Sequence, residues 1–222
     1  VDVHFWGMCK GAGMIHPNMS TMLGFVLSDA AIDTVLLQKA LKDAIGDSFN
    51  MISVDGDTST NDMVAVLANG MANNTVITDE QSEAYQAFAN AFKQICIDLA
   101  KQIVADGEGA TRMFEVKVKN ALTETDAKTI ARAVTSSSLV KAAIYGRDAN
   151  WGRIACAAGY SGAVFNPDLM DIYVGNLQVA QSGQGLTFDE DKALEILSKD
   201  YVEVLIDLHE GDEQAVAWGC DL

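Results

Sequence analysis

A chain of 222 residues, 49% apolar and with only two prolines, can bury one sizeable core or two small ones and is globular rather than disordered. Fifteen basic residues against 31 acidic ones leave a formal charge of −16 with no basic cluster, which argues against nucleic acid or an anionic membrane surface as partner. No apolar run approaches the roughly 20 residues of a membrane span, and no signal-peptide pattern follows Val1. The four cysteines, Cys9, Cys96, Cys156 and Cys220, lie far apart, with no C-x-x-C pair and no histidine at ligand spacing. That spacing argues against zinc and suits reduced structural thiols in a cytosolic protein.

In sequence order, the first informative stretch is Lys10-Gly11-Ala12-Gly13-Met14-Ile15-His16-Pro17-Asn18-Met19-Ser20-Thr21. Two glycines, a proline and an asparagine predict a tight loop before a buried strand over 22–27. Ser20 and Thr21 put two hydroxyls at the joint, where either a nucleophile or a plain turn fits. A helix is expected over 30–45, capped by Ser28 or Asp29 and stopped by Gly46. A short strand over 49–54 opens into a polar loop over 55–62. A helix is predicted through Met63, Val64, Val66 and Leu67, ending near Asn69 and Gly70. Thr78 and Gln81 form a capping-box pattern ahead of a long helix to about Val104, with Tyr85, Phe88, Phe92, Ile95, Leu99 and Ile103 on one face.

Gly107-Glu108-Gly109 is the next compact loop, and residues 112–119 alternate as a half-exposed strand. A helix over 125–135, a strand over 139–145, a turn and a short helix over 150–159 follow. A hairpin is expected over 171–180, a helix over 189–198, and strands over 202–208 and 214–219. The pattern is α/β throughout. A change in connection style places a subdomain boundary near residues 112–113. Both ends look cut, as in a portion of a longer translation product.

Several stretches carry chemistry on inspection. Asp55-Gly56-Asp57-Thr58-Ser59 fails as a calcium loop, because Thr60 and Val66 stand where the glycine and the bidentate glutamate belong. It partly matches the D-x-D-x-T pattern of haloacid-dehalogenase-like phosphatases, with Asp55 as nucleophile but Ser59 in place of the final threonine, and it better fits a helix-entry loop bonding its own backbone. Glu108 between glycines is either a solvated turn or a carboxylate with room for a ligand. His16 and His209 have no partner in sequence and read as structural. In Gly146-Arg147-Asp148-Ala149-Asn150-Trp151-Gly152-Arg153 the arginines either face an anion or pair with Asp148.

Taken together, five blocks in order resemble the ornithine acetyltransferases, also called glutamate N-acetyltransferases. They are 10–23, 54–62, 106–111, 146–153 and 217–222, and they span nearly the whole sequence. The resemblance implies a layered α-β-β-α sandwich related to the DmpA aminopeptidases, with a smaller α+β C-terminal domain. Residues 1–20 would then end an α-chain, 21–112 belong to the sandwich and 113–222 to the C-terminal domain of the β-chain.

The resemblance also implies self-cleavage between Ser20 and Thr21, leaving Thr21 as an N-terminal nucleophile. Its freed α-amine, with a reference pKa of about 7.7–8.0, accepts the hydroxyl proton near neutral pH. Thr21 then takes acetyl from N2-acetylornithine and passes it to glutamate, with acetyl-CoA as a second donor in some members. Lys10 is matched to a substrate carboxylate and Glu108 to a substrate ammonium. No cofactor is implied, and the assembly is two α and two β chains in the cytoplasm. Ser20 departs from the family's usual alanine. The family's Thr-Gly oxyanion pair lies upstream and its C-terminal asparagine and threonine lie beyond Leu222, so the isolated chain is expected to be inactive. A DmpA-type aminopeptidase and the Asp55 phosphatase are the alternatives.

Overall fold

The computed structural model describes residues 1–18 and 21–222. Two sheets organise it. In the first, β1 (Phe5–Lys10) runs antiparallel to β2 (Leu23–Ser28), which runs parallel to β4 (Met63–Ala68), in the order β1-β2-β4. Pairing of Lys10 with Leu23 brings the two ends of the intervening loop to one edge of the sheet. The helices α1 (Thr34–Gly46) and α2 (Glu83–Ala105) pack on each other, and α2 also lies against β1. The predicted stripe is the inner face of α2: Tyr85, Phe88, Phe92, Leu99 and Ile103 are core residues, and Ile95 is partly buried against that core. Full burial of each large side chain contributes about 1.5–3 kcal/mol. Close approach of β1 to α2 requires a bare backbone at Gly7, where a Cβ would stand 2.8 Å from Leu99 Cδ1.

The second sheet has seven strands in the order β3-β10-β5-β9-β6-β7-β8. Its members are β3 (Ile52–Ser53), β5 (Met113–Ala121), β6 (Asp171–Val174), β7 (Leu177–Gln181), β8 (Gln184–Gly185), β9 (Tyr201–Asp207) and β10 (Glu213–Cys220). The helix α3 (Glu124–Ser136) covers β10 and β5, while α4 (Ser138–Gly146) and α5 (Trp151–Gly159) flank α3. The helix α6 (Glu190–Leu197) sits near β6. The short β3 pairs parallel with β10, Trp218 opposite Ile52 and Gly219 opposite Ser53. Just after β3, Val54 N donates to Ile15 O at 2.7 Å, which sets the loop after β3 against the loop before β2. Among the described residues, no helix is long and apolar enough to cross a membrane.

The architecture is α/β, as the pattern of elements predicts, with local differences. Of the strand expected over 49–54 only Ile52–Ser53 pairs as β3, and Phe49–Met51 forms a single 3-10 turn before it. Residues 63–68 form strand β4 rather than a helix. A six-residue apolar run has too little length to show a period, and β2 offers an open edge that hydrogen-bonds it. Residues 138–146 form helix α4 rather than a strand, capped by Ser137, whose hydroxyl accepts from Val140 N. The cap of α1 is Asp33, and the cap of α2 is Ser82 rather than Thr78. Finally, β1 goes unrecognised in the sequence because Trp6 and Met8 are apolar yet face outward, which erases the alternation.

Candidate active site

The site is built where β1 ends, β2 begins and α2 stops. Lys10 is the last residue of β1, and Thr21 lies two residues before β2. Asp106 caps α2, its N–H bonding back to the carbonyls of Gln102 and Val104, and the backbone turns through Gly107 to Glu108. Glu108 N donates to Ala12 O at 2.8 Å, which locks the Glu108 turn against the Lys10–Thr21 loop. The Glu108 carboxylate passes directly over Gly13, where a Cβ would stand 2.9 Å from Oε2. Any larger residue at Gly13 would displace it.

An open cleft of about 700 Å³ results, whose walls include Lys10, Gly13, Met14, Thr21, Asp55 and Glu108. Three residues separated widely in sequence, Lys10, Thr21 and Glu108, therefore face one space. Among the described residues, Lys10 is its single cation, against the carboxylates of Asp55, Asp106 and Glu108. Half-buried Thr21 directs its hydroxyl toward Met14 Sδ at 3.7 Å, a weak acceptor. Met14 itself has φ 56°, a left-handed conformation uncommon outside glycine. Ser20 lies outside the described residues.

Asp55 is not poised as a nucleophile. Its Oδ2 accepts from Met14 N at 2.6 Å, and its Oδ1 accepts from Ile15 N at 3.1 Å and Asp57 N at 3.0 Å. Both oxygens are committed to shaping the loop. The phosphatase reading is overturned here in favour of the loop-organising one.

His16 is held from both sides. Arg132 donates to its Nε2 at 2.8 Å, and because guanidinium has no acceptor, the ring proton sits on Nδ1 and points to Ser53 Oγ at 3.1 Å. Burial, then the Arg132 charge, lowers the His16 pKa, so the ring is neutral and structural. Lys141, on α4, is buried beneath the same loops. Its ammonium donates to Val54 O at 2.6 Å and Cys220 O at 2.7 Å, tying the end of β3 to the end of β10. Burial lowers its pKa. The buried Asp221 carboxylate accepts from Thr111 N at 2.7 Å and Arg112 N at 2.8 Å, and from the Thr111 hydroxyl at 2.6 Å. Burial opposes its charge, yet these bonds outweigh burial and hold the pKa below the usual carboxylate range.

Asp62 completes the set. Its Oδ1 accepts from Met22 N at 2.9 Å, and Met63 N donates to Met22 O at 2.9 Å, so the residue after Thr21 is gripped on both sides. Sequence reasoning passes over Asp62, Lys141 and Asp221 because each binds backbone groups distant in sequence. Of the other candidates, Arg153 donates to Leu139 O at 3.0 Å, and Asp148 bonds Asn150 Nδ2 at 2.9 Å. The block over 146–153 joins α4 to α5, with Asn150 capping α5.

Comparison with known proteins gives a consistent result. Residues 1–222 match the model of the ArgJ family. A protein of Symbiobacterium thermophilum named arginine biosynthesis bifunctional protein ArgJ is 55% identical over 215 residues, covering 97% of this chain and 53% of that protein. Its namesake in Thermotoga neapolitana is 53% identical over 225 residues, covering 100% of this chain and 56% of that protein. The crystal structure of arginine biosynthesis bifunctional protein ArgJ from Bacillus halodurans superposes with a TM-score of 0.88 at 47% identity, covering 91% of this chain and 95% of that one. The chain thus spans about half the length of the curated relatives it matches.

Proposed function

The chain belongs to the ArgJ family, and from that premise we propose that it carries the nucleophile of a self-cleaving acetyltransferase of arginine biosynthesis. The observation that carries the proposal is the convergence of Lys10, Thr21 and Glu108 on one cleft. Threonine at a loop-to-strand joint suits both steps. In the first, Thr21 Oγ1 attacks the Ser20 carbonyl, the peptide nitrogen leaves as the Thr21 amine, and water opens the resulting ester. In the second, the amine takes the Oγ1 proton as Oγ1 bonds the acetyl carbon of N2-acetylornithine. Ornithine departs with its amine protonated. Glutamate then attacks the acetyl-threonine and restores the free hydroxyl.

Lys10 pairs with a substrate carboxylate, and Glu108 receives a substrate ammonium. An acidic cleft with one lysine suits amino acids that bring a cation as well as an anion. The cleaved protein works with its own α-chain as a two-α, two-β assembly in the cytoplasm. Family membership favours acetyl transfer over the aminopeptidase alternative.

Intact-mass measurement of the full-length protein tests this reading. Two pieces are expected, the second beginning at Thr21. The Thr21→Ala protein should stay whole and lose acetyl transfer by about 10³-fold or more. A cut that persists in Thr21→Ala would sink the mechanism.

A further inference from the structure

Asp55, Asp221 and Asp62 are used alike at this end of the molecule, with one gap. Asp55 accepts from the consecutive amides of Met14 and Ile15, and Asp221 from those of Thr111 and Arg112. Asp62 accepts from Met22 alone. Its second oxygen, Oδ2, is buried and has no hydrogen-bond partner among the described residues. A buried carboxylate oxygen without a donor is costly and calls for a partner. The amide next to Met22 is that of Thr21, the nitrogen that cleavage would release.

We infer that Asp62 is a positioning residue for the nucleophile: once the backbone is cut before Thr21, Asp62 Oδ2 accepts the Thr21 α-amine and holds that nitrogen beside the Thr21 hydroxyl. The inference rests on the proposed role of Thr21. Cutting turns one amide hydrogen into an ammonium with three and frees the nitrogen from the peptide plane, so it can turn toward Oδ2. The hydrogen bond survives loss of a proton, because a neutral amine keeps two N–H groups. Asp62 is suited to the task by place. It grips the backbone from outside the cleft walls, whereas Lys10, Asp55, Asp106 and Glu108 are the charged groups facing Thr21 across the cleft. Asp55 is already committed to amides. In the uncut protein, burial raises the Asp62 pKa against the opposing Met22 hydrogen bond, as befits a carboxylate still lacking its cation.

The test is Asp62→Asn in the full-length protein. Asparagine keeps a carbonyl oxygen for Met22 N–H and turns an NH2 group toward the amine, so the loop is retained and the acceptor is lost. The Thr21 amine is titrated directly, as the pH dependence of its reductive methylation read by mass of the Thr21-containing terminal peptide. A neighbouring carboxylate favours ammonium, so the midpoint should fall by about one pH unit in the variant. The acid limb of kcat/KM should move down with it. The kcat value should fall about 10- to 100-fold with little change in KM for the acceptor amino acid, since Asp62 does not touch substrate.

Coincident midpoints, or a variant that loses stability alone, overturn the inference. If Asp62→Asn stays uncut, the two halves are co-expressed with Thr21 encoded directly after the initiator methionine, and the same titration decides. A wild-type protein that never exposes a Thr21 amine overturns the parent reading and this inference together. An exposed amine whose midpoint ignores Asp62 overturns the inference alone.

Discussion

At the end of β5 that begins with Met113, buried Asp221 accepts from two backbone amides and a hydroxyl, with Arg112 at 3.4 Å. At the other end of the same strand, Asp207 meets mainly side chains: Asn120 at 2.7 Å and Lys119 at 2.9 Å, with the His209 ring at 3.5 Å and a single backbone amide, His209 N, at 3.3 Å. Both carboxylates are nearly inaccessible, yet they do different work. Side-chain partners can swing away into water when the carboxylate is lost, and Lys119 is 38% exposed. Backbone partners cannot, because the loop that carries them is fixed at both ends. A carboxylate bound to amides therefore sets loop shape, and the loop shaped by Asp221 leads from Glu108 into β5. Asp55 treats the Lys10–Thr21 loop in the same way.

The sharpest way to break the comparison is to remove each carboxylate. Asp221→Ala should destabilise the full-length protein by about 3–5 kcal/mol. It leaves Thr111 N and Arg112 N without acceptors and the Arg112 guanidinium, 12% exposed, without its anion. Asp207→Ala should cost only about 1–2 kcal/mol, since Lys119 regains water. Urea unfolding of both variants decides. Equal losses would mean that backbone and side-chain partners are equivalent here.

A second variant separates loop shape from stability. Gly13→Ala places a Cβ where Glu108 Oε2 lies, 2.9 Å away, while the backbone at Gly13 is not among the positive-φ glycines. The Glu108 carboxylate must move. Acetyl transfer should fall about 10- to 100-fold, with KM for the cationic substrate rising, while the urea midpoint stays close to wild type. Unchanged kinetics would remove Glu108 from the substrate contacts.

What could be read from the sequence follows from the same distinction. The face of α2 is legible because Tyr85, Phe88, Phe92, Ile95, Leu99 and Ile103 repeat at helical spacing along most of a 23-residue helix. The hairpin around Gly175 and Asn176 is legible from its turn residues, and Gly175 has φ 56°. Short apolar runs are not: β4 and α4 have six and nine residues, and their neighbours decide their form. In the site, Lys10, Thr21 and Glu108 are found through resemblance to a family, since spacing alone leaves each one open. In sequence Asp62 reads as part of a helix entry after Asn61. The amide it bonds belongs to Met22, 40 residues earlier. Lys141 reads as an ordinary lysine of the strand expected over 139–145 until its helix and its two carbonyl partners are seen. A polar residue that serves a distant backbone leaves no local pattern, because every residue except proline offers the same amide.

The smallest predicted effect concerns His16, which extends the comparison to pH. Its pKa lies below the ordinary value, first through burial and then through the Arg132 charge. The unfolded protein therefore binds a proton near the usual histidine pKa of about 6.5, while the folded protein still refuses it. Stability is fully present above that pH and is lost as pH falls toward the depressed folded pKa. In urea titrations between about pH 7 and pH 5, the wild-type midpoint should decline more steeply than that of His16→Gln, which cannot take up the proton. Glutamine also offers its amide oxygen to Arg132 and its NH2 to Ser53, so the difference between the two slopes isolates the titration from the lost packing. Parallel slopes would mean that Arg132 moves away from a protonated His16 at no cost. The clamp beneath the Thr21 loop would then be softer than its 2.8 Å contact implies.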